Sequence, residues 1–290
     1  MNWPAYLRLG RVSNLPTVWT NTLAGIVLAG GTLEGARLEA LLGAFSLFYV
    51  GGMFLNDAFD REIDARERPD RPIPAGLVRA STVFGIGSAM LAAGVGILAA
   101  QARWGSRGGW GAVAAGVALA ALIVLYDARH KGNPWAPVLM GLCRVLVYVT
   151  AALAATHRLT LPLIGGAIVL LAYLIGLTSV AAHETLPHQR PRLRPLVLVG
   201  VPLLYGIPIL LSGPVGAVLY AGFLGWVGYA TSFLVRHAHV DVPRAVVSFL
   251  AGICLLDALL IAGTGQSGVA AWGVVGFALT VLLQRYVRGT

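Results

Sequence analysis

This chain of 290 residues is short of what a water-soluble domain needs at its surface. Asp, Glu, Lys and Arg together make up 11% of it, and only 12 residues are acidic. So thin a supply of charge excludes an ordinary soluble globule of this size. Cysteine is almost absent. Cys143 and Cys254 both sit inside apolar runs, which excludes a disulfide framework and a thiolate metal cluster and leaves them as core residues. A cleavage-site pattern is also lacking near the first residues. Trp3, Tyr6 and Arg8 precede any long apolar run, and no cleavage pattern follows, so the first ten residues are expected to form a retained interfacial helix.

Hydrophobic residues are abundant, at 57% of the chain. Ten apolar runs are expected to cross a bilayer, at roughly 16–31, 38–56, 81–101, 110–126, 136–155, 161–182, 195–212, 214–235, 244–263 and 268–285. Gly213-Pro214 splits one longer stretch, so nine spans are the alternative count. The fold class is therefore all-α: one polytopic transmembrane bundle of nine or ten helices filling residues 1–290, with charged cap loops.

The net charge is +9, yet no basic domain carries it, so nucleic acid is not an expected partner. With the N-terminus placed inside and ten alternating spans, 16 of the 21 Lys and Arg residues fall in inside loops and four outside, with Arg144 inside a helix. That bias places the N-terminus and the acidic loop in the cytoplasm, at the cell's inner membrane, facing anionic headgroups.

The acids are concentrated. Six of the 12 (Asp57, Asp60, Glu62, Asp64, Glu67 and Asp70) lie within 14 positions. On a continuing helix Asp57, Asp60 and Asp64 share one face, within about one sixth of a turn. Three like charges there need a cation. Mg²⁺ suits them, because it takes carboxylate oxygens together with phosphate oxygens. Arg61, Arg66, Arg68 and Arg71 interleave with the acids and supply donors for the rest of an anion. The combination points to a diphosphate site at a helix end, whereas a merely solvated loop would not draw half the acids of a membrane protein.

The run N-D-x-x-D-x-x-x-D from Asn56 to Asp64, followed by R-P-I-P-x-G from Arg71 to Gly76, resembles the first aspartate-rich motif of the UbiA superfamily of intramembrane prenyltransferases. The resemblance implies Mg²⁺-dependent transfer of a prenyl group from a prenyl diphosphate to an apolar acceptor, aromatic or lipid, inside the membrane. It implies that Asn56 belongs to the site and that Asp57, Asp60 and Asp64 act as metal ligands. Tyr126 at a helix end and Lys131 after it resemble the superfamily's pattern in the same loop, where the lysine contacts the diphosphate. Arg144, in the next helix, is a plausible phosphate contact. Asn14 and Asn21 resemble pocket asparagines of the superfamily's first helix, although hydrogen-bonded helix packing explains them as well.

The second aspartate-rich motif is where the chain departs. Its place is taken by Thr178 to His188, with no aspartate at all. Glu184 is left as the single carboxylate, with His183 beside it as a diphosphate contact or acid–base partner. This altered motif resembles the EboC-like branch. Asp257, deep in an apolar run, is expected to be hydrogen-bonded to a neighbouring helix or protonated. The departure keeps a second reading open, a UbiA-fold lipid-phosphate binder or carrier without turnover. An ion-coupled transporter would need acids spread along several helices, and Asp257 alone fits that.

The charge bias predicts both chain ends in the cytoplasm. Fluorescent-protein fusions at either end should glow and alkaline phosphatase fusions there should stay inactive. The reverse pattern would invert the assignment.

Overall fold

The computed structural model describes residues 3–33, 37–104, 109–181, 194–235 and 240–287. Among them there is no strand. An interfacial helix, α1 (Trp3–Leu9), leads through a short 3₁₀ turn into α2 (Leu15–Leu28), α3 (Leu38–Phe59) and a brief α4 (Arg61–Glu67). Then come α5 (Ala80–Trp104), α6 (Trp110–Arg129), α7 (Ala136–Ala155) and α8 (Leu161–Ala181). The bundle closes with α9 (Gly200–Leu211), α10 (Pro214–Val235), α11 (Val242–Ala262) and α12 (Ser267–Leu283).

The helix positions match the apolar runs, but the span count needs correcting. Seven of the described helices are long and apolar enough to cross a bilayer, not nine or ten. The apolar segments Leu196–Leu211 and Ser267–Leu283 are shorter, and α2 has only 14 residues. The physical reason is local. Pro16 opens α2, Gly30 at φ 78° follows it, and Ser212-Gly213-Pro214 cuts α9 from α10.

α11 is the axis of the bundle. Nearly every residue from Ala245 to Ala262 is buried, against α2, α8, α10 and α12. Its buried acid, Asp257, suits such an enclosed position, because acids within a membrane face the bundle interior. α5 and α6 have far fewer buried residues and present apolar side chains outward, as lipid-facing helices do.

Backbones approach closely where glycine permits. A Cβ on Gly25 of α2 would stand 2.6 Å from the Tyr148 carbonyl oxygen of α7. Gly51 and Gly87 do the same for α3 and α5, each 2.9 Å from the other's carbonyl oxygen. Small residues at such crossings replace the hydrophobic drive that lipid cannot supply.

The charged groups gather on one face. Arg8 reaches Asp70, Lys131 reaches Asp60, and Gln284 at the end of α12 donates to Asn14 at the start of α2 (2.9 Å). At the other face Gln101 caps the Arg37 carbonyl and Thr160 caps that of Leu28. The bundle thus begins and ends on the charged face, as the loop charges require.

Gly25→Ala should destabilise the fold by about 1–3 kcal/mol by overpacking the α2–α7 crossing. Gly43→Ala, with nothing within 4 Å of the added carbon, should be neutral or stabilising. Equal unfolding profiles of the two variants in detergent would contradict the crossing.

Candidate active site

The site begins with a helix that nearly continues. α3 stops at Phe59, Asp60 caps it, and α4 resumes at Arg61. The Asp60 amide donates to the Asn56 carbonyl (2.9 Å) and the Asp64 amide to the Asp60 carbonyl (2.8 Å), so helical spacing survives the break. Asp57, Asp60 and Asp64 are all buried despite lying at the membrane edge.

Each of these acids has a basic partner. Asp57 Oδ1 accepts from Arg11 Nη2 (3.0 Å) and Arg71 Nη1 (3.2 Å). The same Arg71 nitrogen donates to Asp64 Oδ2 (2.9 Å), so one guanidinium bridges two carboxylates. Asp60 faces another way, towards Lys131 Nζ (3.5 Å) and His130 Nε2 (3.3 Å). Burial pushes the Asp60 carboxyl up, but His130 and Lys131 outweigh it and hold it below its ordinary value. At Asp64 burial prevails over Arg71, and the carboxyl lies above its ordinary value. Burial weakens the Arg11 cation, yet Asp57 and its neighbours more than compensate, so its pKa is raised.

Arg11 reaches this position through strained backbone. It sits at φ 42°, ψ 45°, a left-handed conformation uncommon outside glycine, asparagine and aspartate. The turn aims its guanidinium at both Asn56 (3.3 Å) and Asp57. Arg37 (φ 45°) and His157 (φ 58°), away from the cluster, share the left-handed region, so the ion pair with Asp57 is what distinguishes Arg11.

Beneath the arginines lies a cavity of about 250 Å³ between α2, α3, α6, α7, α8 and α11. Phe45, Phe48, Tyr49 and Leu119 give it an apolar wall, and Arg11, Arg71, Tyr126 and Asp127 form its roof. A polar vestibule of about 760 Å³ lies on the other side of Arg11 and Arg71, bordered by Arg8, Asp70, Asp241 and Arg244. Arg11, Arg68 and Arg71 are shared between the polar and apolar compartments.

A second polar layer is buried deeper. Arg144 donates to Asn21 Oδ1 (3.0 Å) and Thr17 Oγ1 (3.1 Å) and lies 5.4 Å from the Tyr49 ring centre. Asp257 accepts from Asn21 Nδ2 (2.8 Å), Thr20 and the Tyr148 hydroxyl. An arginine cation and an acid therefore share an asparagine, and a charge in the bundle interior is answered through a relay.

Of the residues expected from the sequence, Asn56, Asp57, Asp64 and Arg71 come together with Arg11. Asp60 and Lys131 form the adjacent pair, and Tyr126 stacks on His130 at 4.9 Å. Arg144 lines the cavity. Asn21 serves the buried relay, and Asn14 lines the cavity and binds Gln284. Arg61 turns outward to Glu62 (3.0 Å), away from the cluster. His183 and Glu184 lie outside the described residues. Three further residues carry the geometry: Arg11, Asp127 and His130. Arg11 had a visible signal, a basic residue just before Asn14. Asp127 directly follows Tyr126, but a single acid at a helix end does not stand out.

Among the described residues, no three His, Cys, Asp or Glu side chains converge as a preformed metal cage. The donors nevertheless suit a hard cation. Asp57 and Asp64 offer carboxylate oxygens that already meet at a cationic nitrogen, and Mg²⁺ commonly takes one or two carboxylates with phosphate oxygens.

Fold and site together define an all-helical integral membrane protein with a charged cap over an apolar chamber. The chain belongs to the UbiA prenyltransferase family, whose model matches residues 18–253. It is similar to a digeranylgeranylglyceryl phosphate synthase of Methanopyrus kandleri, at 36% identity over 133 residues. That match spans 45% of each chain, so less than half of the relative's length is represented. Among solved structures, an apo UbiA homologue from Aeropyrum pernix K1 is similar with TM-score 0.66 and 16% identity, over 85% of this chain and 97% of that one. A UbiA homologue from Archaeoglobus fulgidus bound to GPP and Mg²⁺ is similar with TM-score 0.63 and 15% identity, over 94% and 99%. At such identities the likeness establishes the fold.

Asp257→Ala should destabilise the bundle by about 1–3 kcal/mol, because it strips an acceptor from three buried donors. An unchanged unfolding profile in detergent would show that the relay contributes nothing to stability.

Proposed function

We propose that this protein transfers a prenyl group from a prenyl diphosphate to a lipid acceptor, with Mg²⁺, at the cytoplasmic face of the cell membrane. The observation that carries the reading is the roof itself. Arg11 and Arg71 stand between a polar vestibule and an apolar chamber, where a charged head and a hydrocarbon tail must part. The nature of the synthase relatives favours a lipid as the acceptor.

Charge explains the need for metal. Arg11, Arg71 and Lys131 balance Asp57, Asp60 and Asp64, three against three. Asp127 stands beside these pairs as a fourth acid and Arg68 as a fourth cation, so a diphosphate would bring charge that the paired groups do not answer, and a divalent cation would be needed with it. Asp57 and Asp64 would hold that cation, with Asp60 and Glu184 as further ligands. When bound, Mg²⁺ supplies neutralisation of the leaving diphosphate. Arg71, drawn off one carboxylate, donates to the diphosphate, as do Arg11 and Lys131. Asn56, which accepts from Arg11 Nη2 (3.3 Å), would orient Arg11. Tyr49, Phe45 and Phe48 surround the allylic chain and exclude water, and ring faces stabilise a developing cation by about 1 kcal/mol each.

A binder or carrier without turnover is favoured by one feature, the absence of aspartate from residues 178–188. Product formation separates the two readings. Purified protein with radiolabelled geranyl or geranylgeranyl diphosphate and lipid acceptors should give Mg²⁺-dependent product. Asp57→Asn should lower the rate about 100-fold or more, in line with loss of a group that stabilises the transition state. Tight Mg²⁺-dependent donor binding with no product from any acceptor would establish the carrier instead. Transfer indifferent to Mg²⁺ and to Asp57 would remove the metal site.

A further inference from the structure

Asp127 is a carboxylate that neither the cap nor the relay accounts for. It lies in the last turn of α6, only 3% exposed, and lines the apolar chamber beside Tyr126. Its Oδ1 accepts from Asn56 Nδ2 (3.2 Å). Its Oδ2 is buried and has no hydrogen-bond partner. Buried polar atoms without partners are uncommon, because an unanswered carboxylate oxygen forfeits its hydration and gains nothing. Arg11 and Arg71, which also line the chamber, are committed to Asp57, Arg144 is committed to Asn21 and Thr17, and Arg68, also in the lining, makes no ion pair with Asp127. An unused acceptor in the roof of a substrate chamber is suited to a donor that arrives with a substrate.

We propose that Asp127 is a catalytic base, and that the group it serves is a hydroxyl on the acceptor; this rests on the prenyl-transfer reading above. The step balances simply. The allylic C–O bond to the diphosphate breaks and the bonding pair leaves with the diphosphate. A lone pair of the acceptor oxygen forms the new C–O bond at the allylic carbon. The hydroxyl proton passes to Asp127 Oδ2, and the product is an ether. A carboxylate is too weak a base to ionise a free alcohol. It suffices here because the O–H acidifies as its oxygen bonds to the carbocation, so transfer occurs in the transition state.

The location supports the assignment. Asn56 precedes Asp57 and contacts Asp127, so a single side chain joins the diphosphate end of the site to the proposed base. That connection places the leaving group and the proton acceptor on adjoining walls of the chamber. Within this proposal the acceptor is a lipid alcohol or other O–H compound, and the linkage formed in the test below separates it from transfer to a ring carbon.

The decisive variant is Asp127→Asn, which retains an oxygen for Asn56 but cannot accept a proton. The probes are geranylgeranyl diphosphate as donor, with geranylgeranylglyceryl phosphate, farnesol and 4-hydroxybenzoate as acceptors. Product linkage is read by mass spectrometry. Wild-type protein should yield ether products, and Asp127→Asn should reduce their rate by about 100-fold or more. Its Mg²⁺-dependent donor binding should stay within threefold of wild type, and its unfolding temperature should not fall. A thiol analogue of the reactive alcohol, partly ionised at pH 8.5, should restore Asp127→Asn to within tenfold of wild type, which a misfolded variant would not show. Ether formation within threefold of wild type in Asp127→Asn overturns the assignment, and so does product linked only through ring carbon. Absence of product from wild type with every acceptor overturns the transfer reading itself, and the assignment of Asp127 falls with it.

Discussion

Asp57 and its two arginines are the constraint on which the charged face depends. A carboxylate buried at the edge of a bilayer is tolerated only when it is paired. Arg11 comes from the turn before α2, and Arg71 comes from the loop after α4. Three separate chain segments therefore meet at a single oxygen atom. Arg71 then ties Asp64 into the same contact, and the whole acidic loop is folded back over the bundle.

α2 links the roof to the core. Asn14, Thr17 and Asn21 recur at helical spacing along an otherwise apolar element, and they make contact in turn with Gln284, Arg144 and Asp257. The stripe explains how a helix too short to span a bilayer by itself still earns a central place. Its polar side chains are satisfied by α7, α11 and α12, and its backbone packs on α7 through Gly25. A charge within the membrane is costly, and here Arg144 and Asp257 are hydrogen-bonded to opposite ends of one amide. The same arrangement holds Arg144 rigidly in the wall of the chamber.

Much of this was legible in the linear chain, for physical reasons that differ by residue. The helices were visible because lipid demands long apolar runs, and their limits were marked by Gly213-Pro214 and by Pro16. The acids were visible because they are scarce elsewhere, so Asp57, Asp60 and Asp64 stood out. Arg71 was visible through its motif. Arg61, in the same stretch, faces Glu62 and not the cluster, because a one-residue break at Asp60 and the helical phase of α4 carry it outward. The expectation of nine or ten full spans exceeded what the helices measure, since hydropathy counts apolar residues and not the turns that cut them.

By itself the sequence determined the class of architecture, the face on which charge collects and the three acids at its centre. These follow from composition and local spacing, which a one-dimensional pattern records. The tertiary structure decided which base answers which acid, that Arg11 joins the roof from 46 positions away, and that Asp127 keeps an unpaired oxygen inside the chamber. Those outcomes depend on distance and direction between remote segments, and spacing along a chain contains neither.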